Sequence, residues 1–180
     1  MTSTARPLLA MAIAVILSAC SSGSPTLTPQ PQVTLSAVDS AFILGAGQAS
    51  NAEIAAAKLA EQKSQNPDVI SFAQEMITDH TAENAALAPV AASAGTSAPT
   101  GVNAMQQATA VTLMALVGTA FDSAYINSEI AGHQMNLTNN YAAEIASGTN
   151  AAVVAYAKKY QPQVAMHLQM AQAIKAKYSF

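Results

Sequence analysis

The sequence has no tryptophan, a single cysteine and only 9% charged residues among its 180. A lone cysteine has no partner in the chain, so no internal disulfide is possible. Ordinary globular domains carry about a quarter charged residues, and here 51% of residues are hydrophobic. That excludes a disordered charged tail, which needs low hydrophobicity and high net charge. A net charge of -3 and a pI near 5.4 leave no basic stripe, so nucleic acid is excluded as a partner. Long apolar runs are also missing. The longest, Leu8–Leu17, is too short for a hydrocarbon core that needs about 20 residues.

What fills the sequence instead is alanine, with 41 residues. The chain length suits one domain. Arg6 precedes the Leu8–Leu17 run, and Ser18-Ala19-Cys20 follows it. A basic start, a short apolar stretch and small residues read as a cleaved export signal over residues 1–19. Leu17-Ser18-Ala19-Cys20 resembles the bacterial lipoprotein box, in which the cysteine becomes the lipidated first residue. That resemblance implies a membrane partner through the lipid anchor at Cys20. Ser21 after it implies an outer-membrane lipoprotein facing the periplasm. The mature chain then has six lysines against ten acids, a charge of -4. Residues 20–35, rich in Ser, Thr, Pro and Gln, read as the lipidated cysteine and a flexible tether. Residues 36–180 form the domain.

Alanine-rich segments favour helix. The first helix is expected over Ser36–Ser64, with a stripe at Phe42, Ala46, Ala49, Ala52, Ala56 and Leu59 and weak points at Gly45 and Gly47. Asn66-Pro67-Asp68 supplies a cap, a first-turn proline and a dipole-complementing acid. The second helix then runs to about Ala94, with Val69, Phe72, Met76, His80, Glu83 and Leu87 on one face. Pro89 is expected to kink its last turn or end it early. The third runs from Gly118 to about Ser147 with Phe121, Tyr125, Glu129, His133, Leu137 and Tyr141 inward. The fourth runs from Ala151 to about Tyr178, with Val153, Tyr156, Tyr160, Val164, His167, Met170 and Ile174 inward and a bend at Pro162.

Three or four residues join helices one to two and three to four, so each pair is expected to be an antiparallel hairpin. The Gly95–Gly118 link is long enough to cross a bundle about 42 Å long. It contains the amphipathic run Met105–Val117, which either covers one side of the bundle or dips into the membrane; covering is the expectation. The fold class expected is all-α, a ferritin-like four-helix bundle with one long crossover between two helical hairpins. Asn66-Pro67-Asp68-Val69-Ile70-Ser71-Phe72-Ala73 and Asn150-Ala151-Ala152-Val153-Val154-Ala155-Tyr156-Ala157 echo each other across the hairpins.

Glu53-Ile54, Phe72-Ala73-Gln74-Glu75-Met76-Ile77-Thr78-Asp79-His80-Thr81, Phe121-Asp122-Ser123-Ala124-Tyr125 leading to His133, and Pro162 before His167-Leu168 share one pattern. Over about residues 36–178 it resembles a family of bacterial exported outer-membrane proteins of unknown function with a ferritin-like helical bundle. The resemblance implies a fold and an envelope location, and no reaction. Members of that family usually carry an acid just before the second histidine; this chain has Gly132.

All three histidines fall on inward stripes, one in each of helices two, three and four, with Glu53, Glu83 and Glu129 on or beside them. His80-x-x-Glu83 and Glu129-x-x-x-His133 each put two ligand types on one helix face. The Glu-x-x-His pairs of di-iron bundles are missing, so ferroxidase chemistry is not expected. Either His80, His133 and His167 converge with a carboxylate on zinc, copper or iron, or each is hydrogen-bonded within a buried network. Met76, Met114, Met135, Met166 and Met170 offer a soft-metal alternative, but methionine also fills cores. Asn136-Leu137-Thr138 is a glycosylation sequon placed mid-helix, read as accidental. The expected role is non-enzymatic, an envelope structural or stress-associated protein, with metal binding through its core histidines as one of the two readings of the layer. The rival is a metal-dependent redox enzyme or a metal-storage protein of the periplasm; protein partners and any substrate are not legible.

Overall fold

The computed structural model describes residues 35–180; the expected signal peptide, Cys20 and the tether up to residue 34 lie outside the described residues. Among the described residues there are five helices and no strand. They are α1 (Ala37–Lys63), α2 (Pro67–Ser93), α3 (Ala104–Ala115), α4 over residues 118–147 and α5 (Ala151–Tyr178). Helix α4 is one rod in three parts: α-helical Gly118–Met135, a π-helical stretch Asn136–Tyr141, and a last α-helical turn and a half Ala142–Ser147.

Local chemistry sets the helix starts. The Asn66 side chain accepts from the Asp68 and Val69 amides, with Pro67 opening α2. Asn150 does the same for Ala152 and Val153 at the start of α5. The two echoing segments are therefore equivalent starts, and Val69/Val153, Phe72/Tyr156 and Ala73/Ala157 are all buried. Each caps free N–H groups that the first helical turn leaves without partners.

Helix α1 packs on α2, α2 on α5, α5 on α4 and α4 on α1, closing a ring. Directions follow from contacts at the ends. Asp39 near the start of α1 meets Thr149 and Asn150 beyond the end of α4. Lys177 and Tyr178 at the end of α5 meet Asp68 at the start of α2. Neighbours in the ring are therefore antiparallel. The link between α2 and α4 runs beside α1 for much of its length. Asn51 donates to the Pro99 and Gly101 carbonyls, and Lys63 to those of Leu113, Met114 and Leu116. Its helix α3 covers the side between α1 and α4 and buries only Leu113, leaving Met105, Val111 and Met114 exposed. No helix among the described residues is long and apolar enough to cross a membrane.

Two apolar clusters fill the interior. One gathers Ala57, Phe72, Met76, Phe121, Tyr125 and Ile126 around the end of α1; the other gathers Phe42, Leu87, Tyr141, Tyr156 and Val164 around its start. The histidines and their glutamates occupy the middle third of each helix, between the two.

Several expectations change. In α1 the buried residues are Asp39, Phe42, Ile43, Ala46, Gly47, Ser50, Glu53, Ala56, Ala57 and Ala60, so Phe42, Ala46 and Ala56 of the expected stripe are inward, while Ala49, Ala52 and Leu59 are only half-buried. At those three positions the apolar pattern falls one residue out of phase, because Ser50 and Glu53 take inward places. Gly45 and Gly47 are not weak points. A Cβ at Gly45 would lie 2.7 Å from the Asn140 side chain, and one at Gly47 2.7 Å from the Pro99 ring. They let the π-helical stretch and the crossover press against α1. Pro89 does not end α2, which continues to Ser93. In α4, Asn136 rather than Leu137 is buried. Each i+4 step on an α-helix overshoots the face by about 40°, and the wider π turn restores Tyr141 to the core. Tyr160 and Met170 lie at the core's margin, and Ala157 and Ala171 take the buried places beside them.

Asp39 ties the ends of α1 and α4 together. Its carboxylate accepts from the Ser36 amide and hydroxyl, the Thr149 amide and hydroxyl, and the Asn150 amide. Burial works against its ionisation, but those bonds outweigh burial and hold Asp39 well below the usual carboxylate range. Asp39→Ala should therefore destabilise the fold by about 2–4 kcal/mol in denaturant melts, since buried bonds to a charged acceptor and a helix cap go together. Nearby Glu144 behaves oppositely: burial, then the Asp39 carboxylate, raises it from 4.5 to about 7. The native state then holds more protons than the unfolded chain between those values, so this group's contribution is full at low pH and is lost as pH rises through that window. Glu144→Gln should flatten the dependence and raise stability at about pH 8 by roughly 1 kcal/mol, allowing for solvent screening at the bundle end.

Candidate metal centre

Each of the four long helices contributes to one buried layer. Helix α1 brings Glu53, α2 brings His80 and Glu83, α4 brings Glu129 and His133, and α5 brings His167, all buried. The three imidazole centroids lie 5.1–5.8 Å apart. One nitrogen of each ring lies within 4.8 Å of one from each of the others. Glu53, Glu129 and His133 form a second group with the same spacing.

The hydrogen bonds set the tautomers. His80 Nδ1 lies 2.6 Å from Glu83 Oε2, His133 Nδ1 lies 2.8 Å from the Glu129 carbonyl oxygen, and His167 Nε2 lies 2.9 Å from Asp79 Oδ2. These acceptors require an N–H at each of those positions. In the neutral ring the lone pair then falls on the opposite nitrogen. Those opposite atoms, His80 Nε2, His133 Nε2 and His167 Nδ1, are buried and have no hydrogen-bond partner in the protein. Glu53 Oε2 and Glu129 Oε2 share that condition. His80 Nε2 and Glu53 Oε2 are 3.0 Å apart, an ion pair when the ring is protonated; in the neutral ring both keep unused bonding capacity.

Glu83 is used differently. Tyr141 donates to one of its oxygens, and Ser50 Oγ, at 3.2 Å, and His80 approach the other. Tyr156 donates to its backbone carbonyl at 3.0 Å. Glu83 is thus fully occupied in orienting His80, as a carboxylate behind a ligating imidazole does. Asp79 stands in the same relation to His167 and is only partly buried; with Glu75 it makes a third histidine–carboxylate group toward the surface. The i+3 and i+4 spacings disclose the His80–Glu83 and Glu129–His133 pairs, but the latter meets at only 3.6 Å between side chains. Ser50 escapes sequence reasoning: a serine among alanines gives no signal of an inward position.

Electrostatically the layer is finely divided. Burial penalises the Glu53 carboxylate, but the charges of His80 and His133 and the His80 contact bring it down to about 2. Burial likewise opposes a charged His80, and Glu53 and Glu83 on either side overcome it and push its pKa well up. His167 is pushed down, by burial first and by the other two imidazoles. Glu129 is raised well above the carboxylate range by burial and by Glu53. A proton on His80 is therefore favoured and a second acid beside it is kept neutral; a metal held by His80 Nε2 would take the place of that proton.

The methionines do not supply a rival centre. Met76 is in the core, and Met114, Met135 and Met166 are exposed. The molecule is thus a helical bundle of the class that buries a histidine–carboxylate cluster between its helices. It belongs to the family described as Domain of unknown function (DUF4142), whose match spans residues 24–174. No curated protein and no solved structure matches the chain.

Proposed function

We propose that the domain is a metal-binding, ferritin-like bundle held at the bacterial envelope by a lipidated Cys20. His80, His133 and His167 supply the nitrogens and Glu53 the oxygen for one zinc, copper or iron ion. Three unpartnered ring nitrogens on three helices, each on a ring whose other nitrogen is already fixed, are the observation that carries this reading. A network built only for hydrogen bonding would be expected to use both nitrogens, because an orphaned buried polar atom costs about 1–3 kcal/mol. Tetrahedral zinc with bonds of about 2.0–2.1 Å puts ligands about 3.4 Å apart. Side-chain shifts of about 1 Å reach that spacing from the present one. Glu83 and Asp79 act as positioning groups. The antiparallel ring with its crossover alongside α1 supports the ferritin-like topology. The Leu17-Ser18-Ala19-Cys20 box and Ser21 support an outer-membrane lipoprotein facing the periplasm. Nothing in the site shows a reaction, and the role that fits best is non-enzymatic metal holding at the envelope.

Protein produced in the periplasm should carry close to one equivalent of transition metal by elemental analysis. Adding zinc to chelator-treated protein at about a hundred times its Kd should stabilise it by about 2.7 kcal/mol. Glu83→Gln and Asp79→Asn should weaken affinity by about 10–100-fold. The variant lacking all three imidazoles should neither retain metal nor respond to zinc; unchanged metal content in that variant would falsify the reading. Separately, Cys20→Ala or globomycin should leave an unprocessed precursor. Normal processing of the Cys20→Ala chain would remove the lipoprotein assignment.

A further inference from the structure

A cavity of about 360 Å³ lies between α1, α3 and α4, and Glu53 and Glu129 of the buried layer form part of its wall. From this we infer that it is a binding pocket through which a small uncharged molecule carrying a nitrogen or oxygen donor reaches the metal. The inference rests on the metal reading above.

The pocket exists because the helices around it carry small residues. Ala49, Ala52 and Ala56 from α1, Ala110 and Leu113 from α3, and Gly132 from α4 make its walls. At Gly132 even a Cβ would come to 3.8 Å from Glu53 Oε1. Ordinary contact begins there, so a longer side chain at 132 would lie across the carboxylate. Ala49 and Ala52, the misphased alanines of α1, thus have a place: they line the cavity.

Its chemistry selects among ligands. None of the residues lining it is Lys, Arg or His, and the two ionisable ones are both glutamates. The wall itself offers an anion no counter-charge and sets Glu53 against it, so an anion passing along it is repelled until it meets the metal, whereas a neutral donor is not. Asn103, Gln106, Asn136, Asn139 and Asn140 provide neutral donors and acceptors, while Met105, Leu113 and Met135 provide apolar surface. That mixture, at the small end of the volumes typical for small-molecule sites, suits a compact neutral amphiphile. The Oε2 atoms of both glutamates are buried without a protein partner. Those atoms lie behind the wall that Glu53 and Glu129 form, so a ligand that displaces either side chain meets groups with unused bonding capacity. Three imidazoles alone are a sufficient protein set for a zinc-type site with one exchangeable position, so a ligand that displaces Glu53 would find a place on the metal.

Helix α3 is the roof. Only Leu113 of it is buried. Lys63 holds its C-terminal end through three carbonyls, and Asn51 holds the chain before its start through two.

The test uses the mature protein loaded with cobalt(II), whose visible absorption reports its coordination, at about pH 8, where imidazole is largely neutral. Imidazole is the neutral probe and azide the anionic one. Imidazole should shift the spectrum saturably, at least about tenfold more tightly than azide. Ala110→Leu, and independently Thr109→Leu, both on the roof helix, should keep the cobalt spectrum but weaken the imidazole response by at least about tenfold. Cobalt uptake with no imidazole response, an equal or tighter azide response, or an unchanged response in Ala110→Leu would overturn the pocket. So would loss of cobalt from both variants, since the cavity would then belong to the metal's own shell. Failure of the unmodified protein to take up cobalt would instead overturn the metal reading.

Discussion

Everything in this bundle accommodates one layer of imidazoles and carboxylates buried midway along it. Ionisable groups out of water are costly unless paired and hydrogen-bonded, and here three histidines and three glutamates share a cross-section. The arrangement is tolerable because it alternates: His80 stands between Glu53 and Glu83, with Nε2 and Nδ1 at 3.0 and 2.6 Å from their oxygens. Removing any one partner leaves another charge unmatched. The helices are consequently less free to slide or rotate than the apolar clusters alone would require. Those clusters, above and below, supply the burial that stabilises the fold, while the layer selects which packing of the helices is compatible with it.

The abundance of alanine follows from the same constraint. Four helices can bring short glutamate and histidine side chains together only if their axes run close. Small residues at the contacts permit that, and Gly45 against Asn140 of α4 is its extreme case, while Gly47 lets the crossover press on α1 at Pro99. The cost is a thin core with few large side chains. Ties at the bundle ends compensate: Asp39 joins α1 to the α4–α5 turn, and Asp68 joins α2 to the end of α5. On a chain this poor in charge, the acids that are present are concentrated at structural junctions and in the central layer.

That concentration also explains what could be read from the sequence. Helix α2 was legible in full, since Val69, Phe72, Met76, His80, Glu83 and Leu87 keep helical spacing and all are buried. Helix α1 was legible as a helix but not in phase. Its inward face is carried by Asp39, Ser50 and Glu53 as much as by apolar residues, and an alanine-rich sequence gives almost no contrast between faces. The π-helical stretch in α4 has no local marker either; its cause lies in the need to hold both His133 and Tyr141 inward on one rod. Candidate ligands were found because histidine and glutamate on a face that is otherwise apolar are conspicuous. The division between groups that meet at the centre and groups that hold them from behind was not, because it depends on which nitrogen each neighbour engages.

That division bears most on what the layer is for. The choice between a structural network and a metal centre turns on unused bonding capacity. In a network kept for register, buried donors and acceptors are matched, because each unmatched one subtracts from a stability of only about 5–15 kcal/mol. Here one nitrogen of every ring is hydrogen-bonded and the other is not, although His80 Nε2 lies 3.0 Å from a Glu53 oxygen. Glu83 is saturated by Ser50, Tyr141 and His80, whereas Glu53 and Glu129 each keep an oxygen without a protein partner. Unmatched atoms occur elsewhere too, at Asp122, Tyr125 and Glu144, but only in this layer do three imidazoles and two carboxylates leave them close together. A buried histidine–carboxylate group with that much unused bonding capacity could hold a metal.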